Sequence, residues 1–296
     1  MACSDCQRRA ALIAALAPAI SQKSLNRQSL LGLLALPDEQ LLHSARVKDP
    51  GELLRRLRIS PPNERLPTAL CAHGPDYPQT LAQLDCAPAV LHGTCTTERL
   101  RELLAAPVIA LVGDRVPTDY ARQMTFALTH ELASAGVTVI GNCTGLDAVA
   151  LHATLHANGH CIGVMPTGAE HPYPMHDVHM HRRILAQGAA ISEFPPGFSR
   201  YQGWCHIASQ RIIAGLASLV VVVEAGERSL ALFTARLAGE LGRDLATVPG
   251  RVTDPGGFGT FALLRDGVPP VSCARDVLDL LPMVHTTKHR AQRLAA

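Results

Sequence analysis

At 296 residues the chain is long enough to bury one large core and a smaller one beside it. Its composition is 47% hydrophobic but only 4% aromatic, which excludes a disordered polymer and leaves Ala, Leu, Val and Ile to build the core; no apolar run reaches the roughly 20 residues of a membrane span. The net charge is +2, and between Ala105 and Leu281 fifteen acidic residues outnumber twelve basic ones, so binding of a polyanion by bulk charge is excluded and must come from a local arginine cluster.

Arg8 and Arg9 precede an apolar stretch from Ala10 to Ile20, as in a signal peptide. Asp5 interrupts the basic segment and no small-residue cleavage site follows, so the spacing predicts an amphipathic helix. Leu30, Leu31, Leu33 and Leu34 continue the helical pattern, a new start stands at Pro37, and a further helix is expected over Pro50–Leu57. Ser60-Pro61-Pro62-Asn63 reads as a linker. Residues 1–62 are therefore expected to form a small helical domain. Nine cysteines is an odd number, and Cys71, Cys143 and Cys161 sit in apolar contexts. That usage fits reduced, buried thiols and a cytoplasmic protein. Cys3 and Cys6 form a CxxC with no second pair at zinc-finger spacing, so no metal is expected.

From about Leu66 strands and helices alternate. Val108–Val112 is apolar throughout, as a central parallel strand should be. A helix from Thr118 to Ala135 is closed by Gly136. Then follow strand Val137–Ile140, helix Leu146–Ala157, strand Cys161–Met165, strand Ala189–Ser192, helix Cys205–Leu216, strand Leu219–Glu224, helix Leu230–Leu241 and strand Leu245–Val248. This pattern predicts an α/β, Rossmann-like, doubly wound, mostly parallel sheet over residues 66–284, preceded by the small helical domain. Residues 285–296 are a basic tail, too short for another domain.

Ligands of such sheets sit at the carboxyl ends of the strands. There the sequence places Gly113-Asp114-Arg115, Gly141 through Asp147 with Gly145, Glu193 before Pro195-Pro196-Gly197, Glu224 through Ser229, and Pro249-Gly250-Arg251. Glycines let backbone amides approach an anion, and a following helix N-terminus favours it. Taken singly these glycines only make tight turns; five such loops on one edge predict a pocket. Neither GxGxxG nor GxxxxGK[ST] is present, so no nucleotide cofactor is expected.

Several runs occur together in order: SEFPPG at Ser192–Gly197, RIIAGLA at Arg211–Ala217, the strand at Val220–Ala225, FTARLAGELGR at Phe233–Arg243, VPG at Val248–Gly250 and LLRDGV at Leu263–Val268. With Tyr77-Pro78, the VLHG segment at Val90–Gly93 and the GLDAVALHATL helix, they cover roughly residues 70 to 281. This series closely resembles the DNA-processing protein A (DprA/Smf) family. The resemblance implies an extended Rossmann fold that binds single-stranded DNA, dimerises and carries no catalytic activity. It also implies a role in loading the recombinase RecA during natural transformation. Carried onto this chain, it points to Gly113, Arg115, Gly141, Gly145, Asp147, Gln210, Arg211, Ser229, Thr234 and Gly250 as DNA- or phosphate-binding residues. The chain departs from the family pattern at Asp114, Ser209, Leu230, Ala231 and Phe261, Leu230 standing where the family has glycine.

Arg115 and Arg211 are the expected phosphate contacts, because guanidinium forks match phosphate oxygens. Their alternative role is internal pairing with Asp147 or Glu224. Glu224 is expected to orient Arg211 or cap a turn, with a general base as the alternative. Tyr201 and Trp204 are candidates for stacking on bases, and Trp204 equally for packing. Two other functional readings stand beside this one. Asp254-Pro255-Gly256-Gly257-Phe258-Gly259-Thr260 resembles a motif of the phosphoribohydrolases that cleave nucleoside monophosphates, but Leu263 occupies the position of their glutamate. The other is a degenerate Rossmann module that binds a nucleotide-like ligand or a protein partner.

Overall fold

A computed structural model describes residues 2–23, 26–59 and 66–281. The Ser60–Asn63 linker and the basic tail lie outside the described residues. Five short helices open the chain: α1 Ser4–Ala15, α2 Ala17–Lys23, α3 Arg27–Ala35, α4 Asp38–Ser44 and α5 Pro50–Ile59. Asn26 and Ser29 close a reciprocal cap on α3, Ser29 N donating to Asn26 Oδ1 at 2.8 Å and Asn26 N to Ser29 Oγ at 3.0 Å.

The larger part runs β1 Thr68–Cys71, α6 Gln79–Ala82, β2 Val90–Gly93, α7 Thr97–Ala105, β3 Val108–Val112, α8 Asp119–Ser134, β4 Thr138–Gly141 and α9 Gly145–His156. It continues through β5 Cys161–Val164, α10 Val178–Gln187, β6 Ala189–Ser192, α11 Gly203–Leu216, β7 Leu219–Val222, α12 Leu230–Glu240, β8 Asp244–Thr247, α13 Phe258–Arg265 and α14 Ala274–Leu280. The sheet order is β1-β2-β6-β5-β4-β3-β7-β8. β1 and β2 pair antiparallel and dock antiparallel on β6, while the six remaining strands are parallel. The Rossmann-like sheet expected from the alternation is present, with helix and strand ends displaced by one or two residues. The antiparallel edge strands β1 and β2 have no counterpart in the strand pattern read from the sequence.

Strand alternation splits the core in two. Val108, Ala110 and Val112 of β3 face one cluster with Leu81, Leu100, Ile213 and Leu237. Ile109 and Leu111 face the other, with Leu128, Leu132, Leu151 and Ile184. A third cluster joins Leu12, Ile20, Leu30 and Leu41 of the N-terminal helices to Phe194, Phe198 and Trp204. Among the described residues no helix is long and apolar enough to cross a membrane.

Candidate functional site

β3 lies between β4 and β7, so the chain winds away from it in both directions. In open α/β sheets ligands bind at the carboxyl end of such a strand. Three loops are locked together there. Asp114 Oδ2 accepts from Gly226 N at 2.9 Å, joining the loop after β3 to the loop after β7. Glu224 Oε2 accepts from Thr118 N at 2.9 Å, just before α8. Leu146 N donates to the Asp114 carbonyl at 3.2 Å, seating the start of α9 against the first loop. Gly145 has φ +61°, and a Cβ there would come within 2.8 Å of Arg115 Cα, so no other residue fits without moving the loop.

Arg115 is exposed on this rim, and among the described residues no acidic side chain lies within ion-pair distance of it. His206, Thr144, Tyr173 and Tyr201 lie close to Arg115 on this rim. Thr144 Oγ1 and His206 Nε2 are 3.3 Å apart, and the Tyr173 and Tyr201 rings sit 4.8 Å apart at 31°. Burial, helped by the Arg115 charge, lowers the His206 pKa to about 4, so its ring is neutral at physiological pH. Burial raises the Tyr173 hydroxyl above its usual range against the pull of Arg115. Val116 and Met175, on the loops after β3 and β5, are 84% and 78% exposed. Tyr173 and His206 carried no recognisable spacing in the sequence. They join Arg115 only through the fold.

Arg211, expected at a phosphate, is 1% exposed inside α11. Its Nη1 and Nη2 each donate to Glu193 at 2.6 Å, its Nε to the Cys86 carbonyl at 2.9 Å, and Nη1 also to the Ala208 carbonyl at 2.6 Å. Burial alone would lower its pKa; the Glu193 charge overcomes that and holds it above the usual range. This is a structural pair, and its partner is neither Asp147 nor Glu224. Thr234 is likewise buried, donating to Gln210 Oε1 at 2.7 Å, and Gln210 in turn bonds Asp147. Gln210, Thr234, Asp147 and Gly141 are therefore buried beneath the rim. Ser229 Oγ caps α12 by accepting from Ala231 N at 3.2 Å, while its carbonyl is taken by Arg27 Nη1 at 2.8 Å. Gly250 is covered by the Pro255–Gly257 turn, where a Cβ would meet Gly257 Cα at 2.8 Å. Of the ten expected contacts, Arg115 alone is exposed at the rim; Gly113 and Gly145 stand beside it, packed against Leu146 and the Arg115 backbone. Trp204 is an anchor, 3% exposed, its indole N–H bonded to the Ala17 carbonyl at 3.0 Å. Leu230 does not plug the rim; it packs partly buried against the first core cluster. A shallow cavity lined by Arg243, Asp244 and Asp266 lies at the opposite end of β8 and holds none of the rim groups.

Asp147 and His206 give the rim a testable pH signature. Burial raises the Asp147 carboxyl from 3.8 to about 7, against the amides of Asn142 and Gly113. Its contribution to stability is complete below pH 3.8 and is lost as pH rises toward 7. His206 runs the other way: its contribution is complete above 6.5 and is lost as pH falls toward 4. Each slope is on the order of 1.4 kcal/mol per pH unit, so the two offset one another between roughly pH 4 and 6.5, and buried His92, whose pKa burial also lowers to about 4, adds a rise of its own across that window. Asp147→Asn should therefore make stability rise more steeply with pH, and His206→Gln should make it rise less. Urea midpoints from pH 4 to 7 measure both, and profiles unchanged from the parent protein in the two variants would contradict the assignment.

These features define an open, doubly wound α/β protein whose strand order reverses at β3. The chain belongs to the DNA recombination-mediator protein A family, whose model matches residues 68–282. It is 34% identical over 207 residues to DNA processing protein DprA of Bacillus subtilis, covering 70% of this chain and 68% of that protein. It is 33% identical over 205 residues to Protein Smf of Synechocystis, a match spanning 69% of this chain and about half, 51%, of that relative. The fold is similar to the X-ray structure of DNA processing protein A from Streptococcus pneumoniae, with a TM-score of 0.71 at 24% identity over 90% of this chain and 97% of that one. It is also similar to a Helicobacter pylori DNA processing protein A structure concerned with that protein's single-stranded DNA binding mode, with a TM-score of 0.59 at 24% identity over 71% of this chain and 97% of that one.

Proposed function

We propose that this chain binds single-stranded DNA along the switch-point rim, with Arg115 as the central phosphate contact. The observation that carries the reading is an exposed guanidinium, free of any acidic partner among the described residues, beside two adjacent tyrosines. Unpaired strands need this combination: cations for phosphates and flat or apolar surfaces for bases that no longer stack on one another. Val116 and Met175 extend the apolar surface, and Arg228 and Arg251 are exposed on the loops after β7 and β8. The start of α9, whose N-cap Thr144 makes no side-chain cap, adds partial positive charge. A second copy of the chain, the recombinase RecA and a cytoplasmic setting belong to the same proposal, on the strength of the family.

Binding rather than catalysis is favoured because the rim carboxylates are engaged. Asp114 and Glu224 hold loops together, and Leu263, in the place of the phosphoribohydrolase acid, packs against the core. Titration of fluorescent oligo-dT over a salt series tests the reading. Arg115→Ala should weaken binding about tenfold and reduce the salt slope by about one. Tyr173→Ala and Tyr201→Ala should each cost about 1–3 kcal/mol, with little change in that slope. Absence of binding at low salt would leave a module for another partner; release of free base from AMP would favour the hydrolase.

A further inference from the structure

The sequence offers Cys3 and Cys6 without a second ligand pair at a familiar spacing. The fold supplies one from 65 or more residues away. Cys3 is the N-cap of α1 and Cys6 lies one turn on, so both thiols share a face. β1 ends at Cys71, and a turn closed by Gly74 N on the Cys71 carbonyl at 2.8 Å brings His73 to the same spot. The Sγ atoms of Cys3, Cys6 and Cys71 all lie within 4.8 Å of one another. His73 Nδ1 is 3.6 Å from Cys3 Sγ and 3.5 Å from Cys6 Sγ.

We propose that Cys3, Cys6, Cys71 and His73 form a tetrahedral zinc site that fastens the first helix to the edge of the sheet. Zinc–sulfur bonds of about 2.3 Å and a zinc–nitrogen bond of about 2.0–2.1 Å at the tetrahedral angle set sulfur and nitrogen about 3.5 Å apart. The distances from His73 Nδ1 to Cys3 and Cys6 match that value, while His73 stands outside the 4.8 Å set of the three sulfurs and closes on Cys71 as the ion binds. The donor set, three soft sulfurs and one imidazole, suits zinc over magnesium or calcium. Ala2, Ala10 and Val90 are buried in the same small cluster and shield the thiols from water, while His73 is exposed and can leave its Nε2–H in solvent. On binding, three thiols release their protons to solvent; three thiolate pairs and the neutral Nδ1 pair fill all four positions. With every position held by protein the ion is structural. It joins the chain's first residues to β1, so folding and metal binding are coupled.

Metal analysis of the full chain, purified from zinc-supplemented culture and dialysed against metal-free buffer, tests this directly. The expected content is about one zinc per chain, released by a mercurial that caps thiols. Cobalt(II) added to the stripped protein should give thiolate charge-transfer and tetrahedral d–d absorption. Cys71→Ser and His73→Ala should each weaken zinc retention against a competing chelator at least about tenfold. Cys273→Ser, an exposed cysteine outside the cluster, should leave it unchanged. His73→Ala alters only an exposed side chain, and far-UV circular dichroism of that variant separates metal loss from unfolding. Purified protein without zinc, zinc retained undiminished in both ligand variants, or a Cys3–Cys6 disulfide in freshly alkylated protein would each overturn the site.

Discussion

Arg211→Ala is expected to destabilise the protein by about 3–5 kcal/mol while leaving the oligo-dT affinity of the folded fraction unchanged. The substitution strands the Glu193 carboxylate, whose side chain is only 4% exposed, without its counter-charge. It also removes the donors to the Cys86 and Ala208 carbonyls. Arg211→Lys should recover little, because an ammonium lacks the planar fork that spans both Glu193 oxygens. Replacing both partners, Arg211→Met with Glu193→Leu, should restore most of the loss, since no buried charge is then left alone. Urea unfolding gives the stabilities, and anisotropy titration of the folded fraction gives the affinities. If Arg211→Ala kept its stability and lost oligo-dT, the guanidinium would belong to the interface after all.

Trp204→Ala should cost about 3–5 kcal/mol and disturb the N-terminal helices first. The indole packs edge-on to Phe194 with centroids 5.6 Å apart, and its N–H reaches the Ala17 carbonyl at the start of α2. Truncation opens a cavity between the helical layer and the sheet and removes that hydrogen bond. Trp204→Phe keeps most of the apolar contact and should cost substantially less. Because this is the chain's single tryptophan, its fluorescence in the unmodified protein reports on that boundary. Fluorescence and far-UV circular dichroism should then follow one coincident urea transition. A separate early fluorescence transition would show that the helical layer melts alone.

The central parallel strands were legible where they are buried on both faces and so read as an unbroken apolar run, as in Val108–Val112. The helix starts were legible where caps stand in the sequence, as at Thr118, whose Oγ1 accepts from Ala121 N at 3.2 Å. What failed was direction. A sequence shows that Arg115 and Arg211 each sit near a strand end or in a recognisable run, but not that one guanidinium faces water while the other faces Glu193. The distinction depends on which helix face meets the sheet and on a partner 18 residues away. Tyr173 and His206 were missed for the related reason that they come from separate loops with no fixed spacing. Cys71 and His73 cannot be read as ligands from the sequence for the same reason, since they stand 65 or more residues from Cys3 and Cys6.

Glu193 and Phe194 are neighbours with opposite duties. The first holds α11 through Arg211, and the second holds the N-terminal helices through Trp204. SEFPPG and RIIAGLA, two of the runs by which the chain is recognised, are thus two halves of one weld between layers. Kinship read from them is kinship of architecture. A descendant that had abandoned its ligand would still need both runs in order to fold, so lineage and binding must be judged from different residues.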